Sequence, residues 1–363
     1  MKKHAIIPVF IPHRGCPNDC VFCNQKTITA RQADVRPEDV KNIIETWLPT
    51  IENRGIETIE VAFFGGSFTG LPLKEQSEFL SVAKEYKDAG LIHKIHLSTR
   101  PDYIDGNILD NLKTFGTDVI ELGVQSFDDK VLAASNRGHT SADVYRACDA
   151  IKEYNFELGI QLMIGLPEDS PETCLFSAEE TIKIGPSIAR LYPTVVLRDT
   201  ELYRRYEAGS YSPLSTEQAV KITKEMYKLL RDAGINIIRM GLKSTDLIAE
   251  GGEIRGHTFH PAFRQLVEGE IAREQLEAQL IRLLENARKP LDSPGKPGVL
   301  PFANAEGADP LSITFLSSPN SFSNMVGNAK ANKLYFAEKY PQVKIRYKTD
   351  SSLADGYYRV VEF

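Results

Sequence analysis

Three closely spaced cysteines are the residues of this sequence best suited to chemistry. Cys16, Cys20 and Cys23 form a C-x3-C-x2-C pattern directly after the strand-like apolar run of residues 5–12. A [4Fe–4S] cluster normally takes four cysteine ligands, so three would leave one iron free to bind a substrate or cofactor. A zinc knuckle would need a fourth ligand, for which His13 lies on the wrong side of Cys16, and a disulfide would leave a spare thiol. The pattern therefore favours a cluster with one open iron.

Composition narrows the class of protein that could carry such a cluster. The 363 residues are 42% hydrophobic and 25% charged, which is typical of a globular enzyme. No apolar run is long enough to span a membrane, so no membrane association is expected. Five cysteines, three of them clustered, suit a reducing cytoplasm better than a disulfide framework. A net charge of −6 argues against a broadly basic surface, so no DNA partner is expected, whereas a local basic patch stays compatible.

Strand-like and helix-like segments alternate over the first two thirds of the chain, and such alternation predicts a parallel sheet with helices outside it. With the cysteine loop, six such units predict an α/β fold, a partial (β/α)6 parallel barrel. In these sheets the chemistry gathers at the carboxyl ends of the strands. After the first run at 5–12, the predicted strands are 57–64, 94–99, 118–124, 158–164, 187–197 and 235–240. The predicted helices are 36–53, 73–89, 104–115, 142–154, 171–184 and 215–233, the last opening with a Ser215–Gln218 capping box.

The remainder of the chain has a different pattern. We predict a core domain over residues 1–255, a helical extension and linker over 256–310 and a small α/β C-terminal domain over 311–363. The extension contains a helix or a helix pair at 263–288 and a Pro- and Gly-rich stretch at 289–310. The predicted elements of the last domain are strands 311–316, 342–348 and 357–363 and a helix 325–340. This last domain has seven Lys and Arg against four Asp and Glu residues, a net charge of +3 on an acidic chain.

Glycines and polar residues follow several of the predicted strands. Gly65-Gly66-Ser67 comes after strand 57–64, where glycines allow close approach of a ligand and positive φ, although a plain tight turn would also use them. Arg100 could form a bidentate pair with a carboxylate or cap the next turn. Gln125 and Arg137 follow the fourth strand, and the alternatives there are an amide bonded to backbone and a solvent-exposed charge.

The cysteine pattern is that of the radical S-adenosylmethionine (SAM) superfamily, which the chain resembles over roughly residues 5–260. Within it, Gly123-Val124-Gln125-Ser126, Arg137-Gly138-His139-Thr140 and Leu191-Tyr192-Pro193 resemble the radical SAM region of the Elongator catalytic subunit family. The Gly-Val-Gln-Ser stretch and Gly165-Leu166-Pro167 also look like oxygen-independent coproporphyrinogen III oxidase. The resemblance implies a [4Fe–4S] cluster held by Cys16, Cys20 and Cys23, and SAM as cofactor.

The resemblance also implies roles for individual residues around SAM. Phe22 would lie beside the adenine, and the backbone of the Gly65-Gly66 turn would receive the amino group. Many members have Glu where this chain has Ser67, so a backbone role survives there and a carboxylate role does not. Arg100 would pair with the methionine carboxylate, and Gln125 would touch the ribose. Arg137 would lie near the SAM carboxylate or the substrate. Gln161 stands where the oxidases have an Asp ribose partner, and it brings no charge.

The implied reaction is one-electron reduction of the cluster, which cleaves SAM and yields a 5′-deoxyadenosyl radical that abstracts hydrogen from a substrate. A one-electron donor of flavodoxin or ferredoxin type would supply the electron. The resemblance implies a tRNA substrate; alternatives are a tetrapyrrole oxidase or a non-catalytic iron–sulfur protein for electron transfer or sensing. The chain has only 53 residues after position 310, too few for the acetyltransferase domain of Elongator catalytic subunits. The acetyl-CoA-dependent chemistry of that family therefore does not transfer automatically to this chain.

Residues outside the strand ends have simpler interpretations. Cys148 and Cys174 fall in register with apolar helix positions and are predicted to be core residues. His139, His257 and His260 are candidate substrate contacts, although a structural role is the more common one. In the basic C-terminal domain, Lys330, Lys333 and Lys339 are predicted to help position an RNA substrate through its phosphates. The sequence identifies no catalytic side chain.

Overall fold

The chain forms two compact units, residues 1–261 and 262–363. The computed structural model describes residues 3–11, 20–23, 35–52, 54–242, 252–288 and 311–362. Cys16 and the Pro- and Gly-rich stretch 289–310 lie outside these described residues. The division into three domains stays a prediction. In the two units found, the helix of the predicted extension belongs with the C-terminal residues rather than between two domains.

The first unit contains a parallel sheet, with seven strands among the described residues in the order β1-β2-β3-β4-β5-β6-β8. This sheet and its flanking helices confirm the predicted partial barrel. Its central strands are near-continuous apolar runs because a parallel sheet is covered on both faces; Val61, Ala62 and Phe63 of β2 are fully buried. The strands are β1 His4–Ile11, β2 Thr58–Gly65, β3 Lys94–Thr99, β4 Val119–Gln125, β5 Glu157–Ile164, β6 Ile188–Pro193 and β8 Asn236–Met240.

The strand predicted over 187–197 is wrong in its length. It ends at Pro193, and a separate short strand, β7 Val196–Leu197, pairs antiparallel with β9 Ile254–Arg255. Proline lacks a backbone N–H, so it suits the end of a ladder better than its interior. The chain thus turns out of the sheet at the carboxyl end of β6, next to the edge where chemistry is expected.

Helices connect successive strands, and their ends follow local sequence signals. The predicted capping box at the start of the 215–233 helix is confirmed, since the Ser215 hydroxyl accepts from Gln218 N and the Gln218 side chain accepts from Ser215 N. Two short helices, α4 and α7, escaped prediction because six or seven residues show little periodicity. The helices are α1 Pro37–Ile51, α2 Leu73–Asp88, α3 Gly106–Thr114, α4 Asp129–Ala134, α5 Ser141–Glu153, α6 Pro171–Ile184, α7 Glu201–Glu207 and α8 Thr216–Asp232.

The second unit has a three-stranded sheet in the order β11-β10-β12, in which β10 pairs parallel with β11 and antiparallel with β12. The predicted helix 325–340 is wrong as a single helix. It is broken at 327–330, where Gly327, Ala329 and Lys330 have positive φ. The elements are α9 Phe263–Arg288, β10 Leu311–Ser317, α10 Phe322–Val326, α11 Ala331–Lys339, β11 Val343–Thr349 and β12 Tyr358–Glu362.

Candidate active site

A cavity of about 260 Å³ opens in the first unit where strands β2 to β6 end. All the predicted site residues that the structure describes line this cavity: Cys20, Phe22, Cys23, Gly65, Gly66, Ser67, Arg100, Gln125, Arg137 and Gln161. These residues come from separate stretches of the chain, and parallel pairing brings the stretches to one edge of the sheet. The structure therefore brings thiols, guanidinium groups, amides and glycine backbone together in one cavity. Cys16 lies outside the described residues.

The described cysteines of the motif sit in a well-anchored turn. Cys23 N donates to Cys20 O at 2.9 Å, and Val21 N donates to Ser135 O at 3.1 Å. The Val21 side chain packs against Val196 and Leu202, where β7 and α7 adjoin the sheet edge. Among the described residues no three His, Cys, Asp or Glu side chains form a metal site, and Cys16, the first cysteine of the motif, lies outside them. The turn holds both described thiols at the cavity.

Gly65 at the end of β2 can only be glycine. Its φ is +112°, and a Cβ at this position would lie 2.4 Å from Ile11 O. The next residue, Gly66, donates its N–H to Ile11 O at 3.0 Å. The turn therefore lets two backbones, those of β1 and β2, meet closely beside the cavity, with Ser67 buried next to them. Because no carboxylate stands at Ser67, the turn offers a ligand backbone atoms and a hydroxyl.

Arg137 connects the cysteine turn to the end of β4. Its Nη1 donates to Cys20 Sγ at 3.4 Å, and its Nη2 donates to Gly123 O at 2.6 Å. These two hydrogen bonds tie the cysteine turn to β4 through one guanidinium. Gly123 makes room for this contact, since a Cβ there would lie 2.8 Å from Arg137 Nη2 and 2.9 Å from Gln125 Nε2. Sequence reasoning missed Gly123, although a glycine inside a buried apolar strand signals close approach.

Gln125 holds a backbone conformation that L-residues rarely adopt. Its φ is +73°, and its side chain is 7% exposed at the cavity wall. Non-glycine residues with positive φ cost about 1–3 kcal/mol and persist mainly where surrounding structure or function demands them. The β4 strand shifts register against β5 at this point, so the strain coincides with a bulge at the strand end. The bulge turns the Gln125 side chain into the cavity.

Arg100 already has a carboxylate partner within the chain. Its Nε and Nη2 donate to the two carboxylate oxygens of Asp102, each at 2.9 Å, and Nη2 also donates to Arg137 O at 2.6 Å. The predicted bidentate geometry thus exists, with Asp102 as the acid; pairing with a methionine carboxylate stays a prediction. His139 Nδ1 lies 3.9 Å from Asp102 Oδ1. Burial and the charges of Arg137 and Arg100 lower the pKa of His139 to about 4, so it is neutral at pH 7.

Gln161 is oriented by a buried carboxylate. Its Nε2 donates to Glu121 Oε1 and, at 3.3 Å, to Ser98 Oγ. With both amide hydrogens turned toward these partners, the carbonyl oxygen of Gln161 is the polar atom left for a ligand in the cavity. An amide held this way offers an acceptor to a hydroxyl group, as an aspartate at the same place would. Glu121 was not among the predicted site residues.

A chain of buried ionisable side chains lies beneath the cavity, and sequence reasoning missed it. Arg190 Nε donates to Glu121 Oε2 at 2.8 Å, and Arg190 Nη1 lies 3.4 Å from Tyr192 Oη, which lines the cavity. Burial opposes the charge of Arg190, but Glu121 raises the pKa of this guanidinium above its usual value. His96 lies 3.6 Å from Glu121 and 2.5 Å from Glu60. The available signal was a charged or imidazole residue at the third position of four strands: Glu60, His96, Glu121 and Arg190.

The remaining candidates lie away from the cavity lining. Cys148 and Cys174 are 0% and 2% exposed, as predicted for core residues, and burial raises the pKa of Cys148 to about 12. His139 is buried behind the cavity wall, with its Nε2 3.2 Å from Val124 O. Neither His257 nor His260 lines the cavity. A role for these histidines in substrate contact stays a prediction.

Family models match most of the first unit. One described as "Radical SAM superfamily" matches residues 10–179, and one described as "Radical_SAM C-terminal domain" matches residues 186–273. The chain belongs to the radical SAM superfamily. This membership makes it an enzyme, so the non-catalytic alternative is set aside. Among the described residues no helix is long and apolar enough to cross a membrane.

Curated relatives of this radical SAM enzyme include tRNA-modifying proteins. It is 22% identical over 295 residues to the tRNA uridine(34) acetyltransferase of Methanocaldococcus infernus, covering 67% of this chain and 54% of the relative. It is 25% identical over 297 residues to human Elongator complex protein 3, with the same coverage of both chains. The chain thus spans about half the length of these curated relatives. Similarity to the Elongator radical SAM region, predicted from sequence, is confirmed.

A solved structure shows the same fold. The archaeal Methanocaldococcus infernus Elp3 with an N-terminal deletion superposes with a TM-score of 0.61 at 19% identity. The match covers 76% of this chain and 64% of that one. At this identity the likeness establishes the fold of the radical SAM enzyme and no more.

Proposed function

We propose that this enzyme holds a [4Fe–4S] cluster on Cys16, Cys20 and Cys23 and binds SAM in the cavity described above. The observation that carries the proposal is the lining of that cavity. Two of the three motif cysteines share a space of about 260 Å³ with Gln125, Arg137 and Gln161. Thiolates are the ligands of iron–sulfur clusters, and the polar residues match a ligand with an amino acid end and a ribose.

The donor set fits the cluster. Arg137 donates to Cys20 Sγ at 3.4 Å and so orients a sulfur that would ligate iron. Hydrogen bonds to the sulfurs are also among the features that set a cluster's reduction potential. In the proposal Arg137 therefore has two roles: it orients Cys20 Sγ, and it connects the cysteine turn to β4.

The polar wall fits SAM in the same way. Gln161, held by Glu121, presents its carbonyl oxygen as an acceptor for a ribose hydroxyl, and Gln125, the last residue of β4, lines the same cavity. The Gly65-Gly66 turn leaves room for a ligand's polar end to approach the backbone, and Phe22 supplies an aromatic surface for the adenine. These residues bind and orient; the wall formed by Met163, Val195 and Leu197 keeps water from the reacting atoms.

A cluster held by Cys16, Cys20 and Cys23 would supply the electron for reductive cleavage of SAM, which would yield a 5′-deoxyadenosyl radical able to abstract hydrogen from a substrate. A flavodoxin- or ferredoxin-type protein is the expected electron donor. We further propose that the substrate is a tRNA, because the curated relatives include tRNA uridine(34) acetyltransferases. Acetyl transfer is not part of the proposal, since the chain matches only about half of those relatives.

Anaerobic reconstitution tests the cluster and SAM together. Wild type should bind about four irons per chain, as one cubane holds, and should release 5′-deoxyadenosine slowly when reduced with dithionite. Cys20→Ala should abolish both, whereas the buried Cys148→Ala is the matched control and should retain both. Full iron loading in a Cys16, Cys20 and Cys23 triple alanine variant would refute the assignment.

The rate of 5′-deoxyadenosine release also tests which substrate the enzyme uses. Added tRNA should raise the rate of 5′-deoxyadenosine release above the rate without substrate. Porphyrinogen serves as the comparison, since a tetrapyrrole substrate was the alternative from sequence. A rise with porphyrinogen and none with tRNA would refute the tRNA proposal and leave the cluster assignment intact.

A further inference from the structure

Tyr192 of the cavity wall carries a polar group that the proposed binding of SAM does not use. It lies on β6 directly before Pro193, in register with Met163 on β5, and lines the cavity. The residue is partly exposed, so a ligand in the cavity can contact it. The described lining residues that follow it in the chain are all apolar: Pro193, Val195, Leu197 and Leu242. Tyr192 is therefore the polar group on an otherwise apolar part of the wall.

The hydrogen-bonding direction of this phenol follows from its neighbour Arg190. Arg190 Nη1 donates to Tyr192 Oη at 3.4 Å, a long hydrogen bond. A guanidinium has five N–H donors and no acceptor, so Tyr192 Oη is the acceptor in this bond. The hydrogen of the phenol is left to donate elsewhere, and no acceptor for it lies among the described residues. The phenol of Tyr192 thus offers a donor to a ligand in the cavity.

Arg190 is held in place, which fixes this direction. Its Nε donates to Glu121 Oε2 at 2.8 Å, and its guanidinium carbon lies 5.0 Å from the centroid of the Phe64 ring. Strand β2, which carries Phe64, and strand β6 are not neighbours in the sheet, so this contact crosses its concave side. Glu121 and Arg190 are both buried. A buried pair thus orients the phenol before any ligand binds, as a precise binding site requires.

The donor selects a ligand group that can accept a hydrogen bond. Burial raises the pKa of Tyr192, although Arg190 opposes this rise, so the phenol is protonated at pH 7. The amino and sulfonium groups of SAM are cationic and cannot accept from it. The ribose, adenine and amino acid end of SAM have other partners in the proposed function: Gln161, Phe22 and the Gly65-Gly66 turn. The acceptor for Tyr192 therefore belongs to a second molecule, the substrate.

A nucleobase of the proposed tRNA substrate has such acceptors on its edge. Its carbonyl oxygens and ring nitrogens accept hydrogen bonds from side chains. A base that reacts inside an enzyme must leave the stack and enter the cavity, where hydrogen bonds read its edge and apolar side chains contact its faces. Tyr192 supplies the hydrogen bond, and Met163 and Leu242, which line the same cavity, supply apolar contact.

We propose that Tyr192 is a specificity-determining residue of the substrate site, whose phenol donates a hydrogen bond to an acceptor on the target base of the tRNA; this inference rests on the proposed tRNA substrate. The phenol makes and breaks no covalent bond and only orients the base beside SAM. A base with an N–H donor at the same place would set two donors against each other and would be rejected.

Tyr192→Phe tests the contact because it removes the hydroxyl and keeps the ring. The reconstituted full chain is assayed at saturating SAM for 5′-deoxyadenosine release as the concentration of total tRNA is varied. We expect kcat/KM for tRNA to fall about 5- to 150-fold, the loss that follows when one partner of a buried hydrogen bond is removed. The matched control is Tyr145→Phe, which removes a hydroxyl that donates to Glu180 Oε2 at 2.6 Å between helices α5 and α6. It should keep the wild-type value.

A second measurement observes the contact without turnover. Labelling with 3-fluorotyrosine marks all 14 tyrosines, and the fluorine resonance of Tyr192 is the one missing from Tyr192→Phe. Added tRNA should shift this resonance in the SAM-bound, unreduced protein, since a new hydrogen bond changes the electron density of the ring. The resonance of Tyr145, assigned in the same way, should not move. A residue with only a structural role would show no such shift.

Four outcomes would overturn the proposal, and they separate it from the proposed function. Unchanged kcat/KM or an unmoved resonance, with wild type stimulated by tRNA, removes Tyr192 and leaves the tRNA substrate intact. Weaker SAM binding by Tyr192→Phe in calorimetry places the phenol on SAM instead. An equal loss in Tyr145→Phe shows a general effect of a lost hydroxyl. A wild type that tRNA does not stimulate overturns the tRNA substrate together with the base contact, whereas its iron loading would leave the cluster assignment intact. Wild-type iron loading in Tyr192→Phe excludes misfolding as the cause of a loss.

Discussion

Replacing Glu121 with Gln tests the buried polar chain beneath the cavity. The Glu121 carboxylate accepts from Arg190 on one oxygen and from Gln161 on the other. Glutamine has the same shape but only one acceptor oxygen, so its NH2 must face one of two donors. The substitution therefore leaves the guanidinium of Arg190 without an anion. It also places the new NH2 group opposite an N–H donor of either Arg190 or Gln161. It creates no cavity, so any loss reports electrostatics and hydrogen bonding.

The size of the effect follows from burial. Glu121 is 0% and Arg190 8% exposed, so water cannot replace the lost partner. Removing one partner of a buried ion pair costs about 3–5 kcal/mol, against a typical total stability of about 5–15 kcal/mol. Asp88→Asn is a matched control, because Lys84 and Asp88 form an exposed pair four residues apart on α2. Such a pair contributes about 0.3–0.5 kcal/mol.

Urea denaturation of the apo enzyme measures both variants. We expect Glu121→Gln to lower the free energy of unfolding by about 3–5 kcal/mol. A double variant, Glu121→Leu with Arg190→Met, removes both charges and should cost less than the sum of the two single changes. A loss below about 1 kcal/mol for Glu121→Gln would refute the reasoning, since it would mean that Arg190 finds another partner or water.

Three further predictions concern the cavity wall. Gly123→Ala places a Cβ 2.8 Å from Arg137 Nη2, so we expect it to cost about 1–3 kcal/mol of stability and to weaken SAM binding in calorimetry. Gly106→Ala should do neither, because its Cβ would make only an ordinary van der Waals contact, 3.9 Å from Tyr154 Oη. Gln125→Ala should weaken SAM binding by roughly 1–3 kcal/mol, and unchanged affinity would remove Gln125 from the site. Burial and nearby guanidinium groups lower the pKa of His139 to about 4, so the unfolded chain takes up its proton first as pH falls. Stability should then drop between about pH 6.5 and 4, by as much as roughly 3 kcal/mol, and His139→Gln should remove that part of the slope in urea titrations.

Much of the first unit could be predicted from sequence because its signals are local. Each parallel strand is a short apolar run, and the helix after it begins at a capping residue such as Ser170 or Ser215. The order of the sheet follows because consecutive βα units lay their strands side by side with the same hand. Gly65 could be predicted as a special position because a turn with positive φ favours glycine whatever the rest of the chain does.

The tertiary structure decided which partners these residues have. From sequence, Arg100 was available for a ligand carboxylate. In the structure its guanidinium already donates to the Asp102 carboxylate and to Arg137 O. Glu121 and Arg190 are 69 residues apart, and only strand pairing brings them together. No local pattern encodes such a contact, because it depends on which faces of β4 and β6 point into the barrel.

The second unit shows the same division. An apolar alternation in β11 predicts a strand, and charge counting predicts a basic C-terminal region. Which charges share a surface depends on the register of three strands and on Glu277, a residue on α9 that pairs with Lys339. Local sequence thus determined the elements, whereas packing between distant elements determined which side chains line the cavity and which pair with one another.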